Sequence, residues 1–207
     1  LTSFGTAGTG GFGFRNDSFG SFSPYIQWVV TIFMILFGVN FNAYFLLLMR
    51  RFHRAAASEE VRGYFVVIAA AIAIITANIY SLYNSFGEAL RQAAFQVVTL
   101  VSTCGFATEN YIPWGPFFWM IALILMFICG CAGSTCGGLK MGRFVILSKN
   151  LFNEFKKQTH PHAIIPVRMD SHIVSGEIVH RVLAFAFAYM SLIVISCIVL
   201  MLDGLGF

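Results

Sequence analysis

Thr103 and Gly105, within Ser102-Thr103-Cys104-Gly105-Phe106-Ala107-Thr108, are residues spaced for work on an ion. The threonine carries a hydroxyl oxygen, and the glycine lets neighbouring carbonyl oxygens turn one way. The stretch lies between two apolar segments. Backbone without helix or sheet partners cannot face lipid, so at membrane depth such a segment is buried in protein or lines a wet cavity. Oxygens lining a wet cavity suit a cation that has shed part of its water. A matching phrase near the start of the chain, Thr9-Gly10-Gly11-Phe12, aligns Thr9 with Thr103, Gly11 with Gly105, Phe12 with Phe106 and Asn16 with Asn110. Two copies of one loop imply two copies of one structural unit. Taken without its second copy, glycine-rich residues 1–23 read equally well as a flexible linker.

A second constellation, Cys129-Gly130-Cys131-Ala132-Gly133-Ser134-Thr135-Cys136-Gly137-Gly138, interrupts an apolar run just ahead of Lys140. A glycine inside a helix costs ~1 kcal/mol relative to alanine, so these four oppose a continuous helix. Two readings stay open: a mobile intramembrane loop, and close helix packing through small residues. For Lys140 there are three: hydrogen bonds to loop carbonyls, a tethered cation in a pore, or an ordinary snorkelling lysine. His160 and His162 have the spacing of a metal pair but no Cys, Asp or Glu nearby to complete a site. Cys129, Cys131 and Cys136 read better as small apolar residues at a crowded break. With an odd total of five cysteines and no spaced pairs, free thiols are expected. An intramembrane enzyme is excluded by the lack of a His-Glu-x-x-His motif and of any acidic residue well inside an apolar run.

The elements that must position these residues belong to a membrane protein. Hydrophobic residues make up 58% of the 207, charged residues only 11%, and the mean hydropathy is +0.79, too apolar for an ordinary soluble domain. Residues 25–49 read as one spanning helix, with Asn40 and Asn42 inside it to hydrogen-bond a neighbouring helix. A charged hairpin carrying Arg50, Arg51, Arg54, Glu59, Glu60 and Arg62 leads to a second apolar run over 64–82.

Residues 87–101, with Glu88, Arg91, Gln92 and Gln96 among apolar positions, would reach only ~22 Å as a helix, too short to cross. A half-helix ending at residue 102 would aim its partially negative end at the loop and favour a cation. A surface amphipathic helix is the competing reading. Residues 110–116 read as interfacial, 117–128 re-enter the membrane, and 178–202 span it.

Of thirteen Lys and Arg, four lie between Arg50 and Arg62 and seven between Lys140 and Arg181, leaving Arg15 and Arg91 beside the two loops. The positive-inside rule makes both basic segments cytoplasmic, so both loops open outward in the same orientation. The net charge of +4 therefore reports topology rather than an acidic partner, and no nucleic-acid partner is expected. Starting at Leu1 in mid-repeat, the sequence reads as a piece of a longer protein.

Ser102 to Thr108, the long motif from Gly130 through Leu139 to Lys140, and His160-Pro161-His162-Ala163-Ile164-Ile165-Pro166-Val167 together resemble the potassium-translocating subunits of the TrkH/KtrB superfamily. The resemblance covers essentially the whole chain. It implies an all-α integral membrane fold of repeated span, pore-helix, filter-loop, span units around one pore. This chain would hold the end of a second repeat (1–49), a complete third (63–158) and the first span of a fourth (178–203), as a single membrane domain. It implies potassium uptake in the cytoplasmic (inner) membrane of a prokaryote, with no covalent cofactor and K+ as cargo.

The filter residues would be Thr9, Gly10, Gly11, Phe12, Ser102, Thr103, Cys104, Gly105 and Phe106, with K+ held at Thr9 to Gly11 and Thr103 to Gly105. The segment Gly130, Cys131, Ala132, Gly133, Ser134, Thr135, Cys136, Gly137, Gly138, with Lys140, would obstruct conduction until a cytoplasmic nucleotide-binding ring of the TrkA/KtrA type releases it. Partners implied are the lipid bilayer, a second copy of the subunit and that ring. Gly13-Phe14 departs from the Ser-Thr pair more usual after the first filter glycine. One glycine per loop implies fewer stacked sites and looser selectivity. The rival reading is an ion-coupled secondary transporter with discontinuous helices, although such folds often use inverted repeats.

Overall fold

A computed structural model describes residues 2–159, 165–170 and 172–202. His160 and His162 lie outside the described residues. The fold is largely helical. Where the sequence reads as a single domain, the chain divides into two compact units, Leu1–Gly142 and Arg143–Phe207.

In the first unit, α1 (Thr2–Ala7) ends at the first loop, and residues 8–23 return to α2 (Pro24–Gly38). Pro24 opens α2 because a proline lacks only an N–H that the first turn leaves unbonded anyway. The one continuous helix expected over residues 25–49 is corrected: α2 and α3 (Phe41–Leu48) meet at a 91° bend. Val39 and Asn40 are extended at the break, and the Asn40 side chain caps α3 by accepting from the Asn42 N–H at 2.8 Å. Both halves are apolar, so composition runs through the break without a mark.

Breaking a helix in an apolar setting leaves its last four carbonyls without partners. All four of α2 are bonded from elsewhere. The Tyr64 hydroxyl donates to the Ile35 carbonyl at 3.1 Å and the Tyr44 hydroxyl to Leu36 at 2.5 Å. The Thr135 hydroxyl reaches Phe37 at 3.4 Å, and the Cys131 N–H reaches Gly38 at 2.9 Å. The first free N–H of α3, on Phe41, donates to the Gly133 carbonyl at 3.2 Å. Three of these five groups belong to the glycine-rich segment. The bend and that segment complete one another.

After α4 (Phe52–Ala57), α5 (Glu59–Ile79) runs 21 residues, about 32 Å and enough to cross. Glu59 and Glu60 occupy its first turn, where the helix dipole favours anions. Then α6 (Phe86–Val101) packs against α5, α2 and α7. It starts one residue before the expected half-helix, capped by Ser85 accepting from the Glu88 N–H at 3.3 Å, and ends where expected. Gln92 through Thr99 are all buried, so α6 is enclosed by protein and is not a surface amphipathic helix. Trp114, Tyr111, Phe118 and Trp119 cluster at the start of α7 (Gly115–Ile128), where the Trp114 ring N–H donates to the Tyr83 hydroxyl at 3.2 Å. Only 14 residues long, α7 stops at Cys129, whose φ of 54° leaves the helical region.

The second unit carries α8 (Met141–Thr159) from its third residue onward, a two-residue antiparallel ladder of β1 (Arg168–Met169) with β2 (His172–Ile173), and α9 (Gly176–Leu202). Ile146, Val167, Val179 and Val182 form its buried cluster. The Arg143 guanidinium lies 4.1 Å from the centre of the Phe185 ring, a cation–π contact. At 27 residues α9 is long enough to span, and little of its apolar surface is covered.

The bend makes a packing prediction. A Cβ added at Gly38 would collide with the ring and hydroxyl of fully buried Tyr64, while one at Gly87 meets nothing within 4 Å. Gly38→Ala is expected to destabilise by about 1–3 kcal/mol. Gly87→Ala, at an open helical position, should be neutral or stabilising by up to ~1 kcal/mol. Melting temperatures of the purified full-length protein check the pair, and equal behaviour would contradict the packing.

Candidate functional site

The two threonine-glycine loops are built by one hydrogen-bond pattern shifted by 94 positions, as from Thr9 to Thr103. At the end of α1, Gly8 donates to Phe4, Thr9 to Thr6 and Gly10 to Gly5. At the end of α6, Ser102 donates to Val98, Thr103 to Leu100 and Cys104 to Thr99. The last two bonds of each set make a Schellman ending, which places its C′ residue in the left-handed region. Glycine usually fills that position. Here it is Thr9 (φ 50°) and Thr103 (φ 55°), and the glycines stand two residues later, Gly11 at φ 67° and Gly105 at φ 79°. Positive φ thus recurs at alternate residues of each loop, with Gly10 and Cys104 between them outside that region.

The loops lie side by side. A Cβ on Gly11 would fall on the Cys104 carbonyl oxygen, and the Cys104 thiol lies 3.8 Å from the Thr6 carbonyl. Their return segments are also joined: the Phe19 N–H donates to the Ala107 carbonyl at 2.8 Å, and the Ala107 N–H to the Ser18 hydroxyl at 3.1 Å. Phe106 is buried with its ring centre 4.8 Å from that of Phe19, whereas its sequence partner Phe12 is exposed. Helix α6 anchors the second loop from behind. Its Thr99 hydroxyl accepts from the Phe106 N–H at 2.8 Å, and its Gln92 side chain accepts from the Thr108 hydroxyl.

Residues 129–140 form a non-helical loop beneath the two threonines. The Thr9 hydroxyl is 3.0 Å from the Thr135 carbonyl and 2.8 Å from the Gly8 carbonyl, and the Thr103 hydroxyl accepts from the Gly137 N–H at 2.9 Å. Both threonine-glycine loops are thus bonded to one segment. Of the arrangements open for Lys140, the structure holds the first: its ammonium donates to the Ser134 carbonyl at 3.2 Å and to the Cys136 carbonyl. Its backbone is also left-handed, at φ 72°. Cys129, Cys131 and Cys136 are buried free thiols, and among the described residues no three His, Cys, Asp or Glu groups are placed to hold a metal.

Sequence reasoning missed Glu60. Assigned there to a polar hairpin, it is 4% exposed and accepts from the Ala132 N–H at 2.5 Å, the Gly142 N–H at 3.0 Å and the Asn40 side-chain amide at 3.2 Å. Asn40 does bond a neighbouring helix, as expected, but it also caps α3. The signal available was Asn40 itself, a preferred cap residue in the middle of an apolar run. Outside the spans, the bond from Ser21 holds the Asp17 carboxyl below its usual range, while burial raises that of Glu109 against an opposing bond from Trp114. The Arg15 guanidinium bonds the Ser21 hydroxyl and lies 5.2 Å from the Phe22 ring centre.

A family model described as TrkH, cation transport protein, matches residues 1–206. The chain is 32% identical over 206 residues to the Trk system potassium uptake protein TrkH of Salmonella typhimurium, covering 98% of this chain and 43% of the relative. It is 29% identical over 209 residues to the Trk system potassium uptake protein TrkG of Escherichia coli strain K12, covering 98% and 42%. The crystal structure of the potassium transporter TrkH from Vibrio parahaemolyticus superposes with a TM-score of 0.92 at 28% identity, covering 99% of this chain and 45% of that one. The chain spans less than half the length of these relatives.

The contact between the loops gives an asymmetric prediction. Alanine at Gly105 meets nothing within 4 Å and bears only the left-handed strain of ~1–2 kcal/mol. Alanine at Gly11 bears the same strain and must also displace the Cys104 carbonyl, adding about 1–3 kcal/mol. Gly11→Ala should therefore melt well below Gly105→Ala, and equal losses would separate the loops. Thr103→Gly should hold or raise the melting temperature by relieving strain, yet speed hydrogen exchange at Gly137, which loses its acceptor.

Proposed function

The chain belongs to the TrkH family of cation transport proteins, and from that premise we propose that it supplies two filter loops and a gating loop to a potassium-uptake pore in the cytoplasmic membrane of a prokaryote. The observation that carries the reading is the paired geometry, in which two helix ends of one design present left-handed Thr-x-Gly loops side by side. Carbonyl oxygens turned one way can replace the hydration shell of an alkali ion, and Thr9 and Thr103 add hydroxyl oxygens at the inner edge. The partially negative C-terminal end of α6 favours a cation there. A membrane potential contributes ~2.3 kcal/mol per charge per 100 mV to inward movement. The names of the relatives, potassium uptake proteins, support K+ as the cargo.

The hydrogen bonds from Thr135 and Gly137 to both threonines support the loop as an obstruction on the cytoplasmic side of the filter. Assembly as a homodimer and control by a cytoplasmic nucleotide-binding ring belong to the same proposal. Their support is the family resemblance and the concentration of Lys and Arg in the segments read as cytoplasmic. The 91° break between α2 and α3 gives the coupled-transporter reading its one structural support, since discontinuous helices also build coupled substrate sites.

Tracer rubidium uptake by the full-length protein decides between them: conduction without a second ion is expected. Gly105→Ser should lower the ratio of potassium to sodium uptake about tenfold or more, and an unchanged ratio overturns the filter assignment. Deleting Gly133, Ser134 and Thr135 should raise resting flux several-fold, and unchanged resting flux overturns the gating assignment.

A further inference from the structure

The buried carboxylate of Glu60 reaches further than its place in the first turn of α5 requires. One of its oxygens, Oε1, accepts from both Ala132 and Gly142, and Oε2 accepts from the Asn40 amide. Ala132 lies near the start of the glycine-rich segment and Gly142 just past its end, so a single oxygen ties the two sides of the loop together. Asn40, through its other atom, caps α3 at the bend on which that segment docks. The N-terminal ends of α3, α5 and α8 thus converge on one anion, as helix dipoles favour. Lys140 closes the interior of the loop by holding the Ser134 and Cys136 carbonyls. The tip so formed is what bonds Thr9 and Thr103. Glu60 directly follows Ser58 and Glu59, where α5 joins the arginine-bearing hairpin of α4.

We infer that Glu60 is the latch of the gating loop, a positioning residue whose bonds to Ala132, Gly142 and Asn40 hold the loop shut beneath the filter threonines and connect it to the basic hairpin. This rests on the loop being a gate, as proposed above. The pairing with Asn40 has a polarity that can be exchanged. In E60Q the remaining amide oxygen still accepts from Ala132 and Gly142, but the new NH2 faces the Asn40 NH2, donor against donor. In N40D one carboxylate oxygen still caps α3 while the other faces Glu60, acceptor against acceptor. Combining N40D with E60Q restores a donor to an acceptor and keeps the cap.

The experiment measures resting rubidium flux through the full-length protein in proteoliposomes, with melting temperatures taken alongside. Five variants are compared with the parent: E60Q, N40D, the double variant, the deletion of Gly133, Ser134 and Thr135, and E60Q combined with that deletion. Resting flux should rise at least fivefold in each single variant and in the deletion, and return to within twofold of the parent in the double variant. E60Q added to the deletion should raise flux no further, a non-additivity that a merely structural role for Glu60 would not produce.

Leak in the deletion with parental flux in folded E60Q overturns the latch and leaves the gate standing. Parental flux in the deletion overturns the gate itself. If E60Q does not accumulate, N40D decides, because it keeps the Glu60 carboxylate: parental flux in folded N40D overturns the latch.

Discussion

Peptide groups freed in an apolar medium must find partners, and in this chain one such set is freed at the α2–α3 bend. A 91° turn at Val39 and Asn40 takes the helical partners from the carbonyls of Ile35, Leu36, Phe37 and Gly38 and from the N–H of Phe41, and of these only Leu36 is bonded locally, by the Val39 N–H at 3.1 Å. Left unbonded, each would cost several kcal/mol at membrane depth. Tyr64 and Tyr44 serve two of them, and the loop over 131–135 serves the other three. The loop in turn has its own unpaired backbone, since glycine-rich chain with no helix cannot stand alone in lipid. Bend and loop are therefore one structure in two pieces of sequence about ninety residues apart. This is why the segment after α7 can be non-helical without being lost to the bilayer.

The same accounting explains the threonines. A β-branched residue in the left-handed region is a genuine outlier, and glycine would serve a Schellman ending with ~1–2 kcal/mol less strain. Two copies of the outlier, at Thr9 and Thr103, at equivalent positions of equivalent hydrogen-bond patterns, point to a use for the side chain. Both hydroxyls bond the same loop, one donating to Thr135 and the other accepting from Gly137. The backbone strain thus sits where the two threonine-glycine loops meet the glycine-rich loop. The left-handed glycines two residues later complete the alternation, and Gly11 in addition leaves room for the neighbouring Cys104 carbonyl.

What the sequence made legible was local. The Thr-x-Gly-Phe duplication, the limits of α6 to within one residue and the end of α7 at Ile128 follow from spacing, helix length and glycine content. What it concealed was tertiary. Residues 25–49 are apolar on both sides of Val39, so hydropathy cannot distinguish one straight span from two helices at a right angle. Asn40 could be read as an interhelical amide or as a cap, and it is both. Glu60 stands among Arg50, Arg51, Arg54, Glu59 and Arg62, the composition of a solvated hairpin. Only the fold brings Ala132, Gly142 and Asn40 around it. A buried carboxylate is recognised by its donors, and donors from residues 40, 132 and 142 cannot be counted along a chain.

The bonds that hold the loop are not equivalent. Those made by Cys131 to Gly38 and by Gly142 to Glu60 join buried groups at the base of the loop, Cys131 and Glu60 being 0% and 4% exposed, whereas Ala132, which also donates to Glu60, is exposed. Water cannot readily replace them, so losing one carries the full desolvation penalty of ~1–3 kcal/mol, and more where the partner is charged. Thr135 and Gly137, which bond Thr9 and Thr103, are exposed. There water can substitute, and the net worth of each bond falls to about 0.5–1.5 kcal/mol. The tip is held weakly and the base strongly. The Thr135 carbonyl and the Gly137 N–H can exchange the threonines for water while Cys131 and Gly133 keep the Gly38 carbonyl and the Phe41 N–H partnered at the bend.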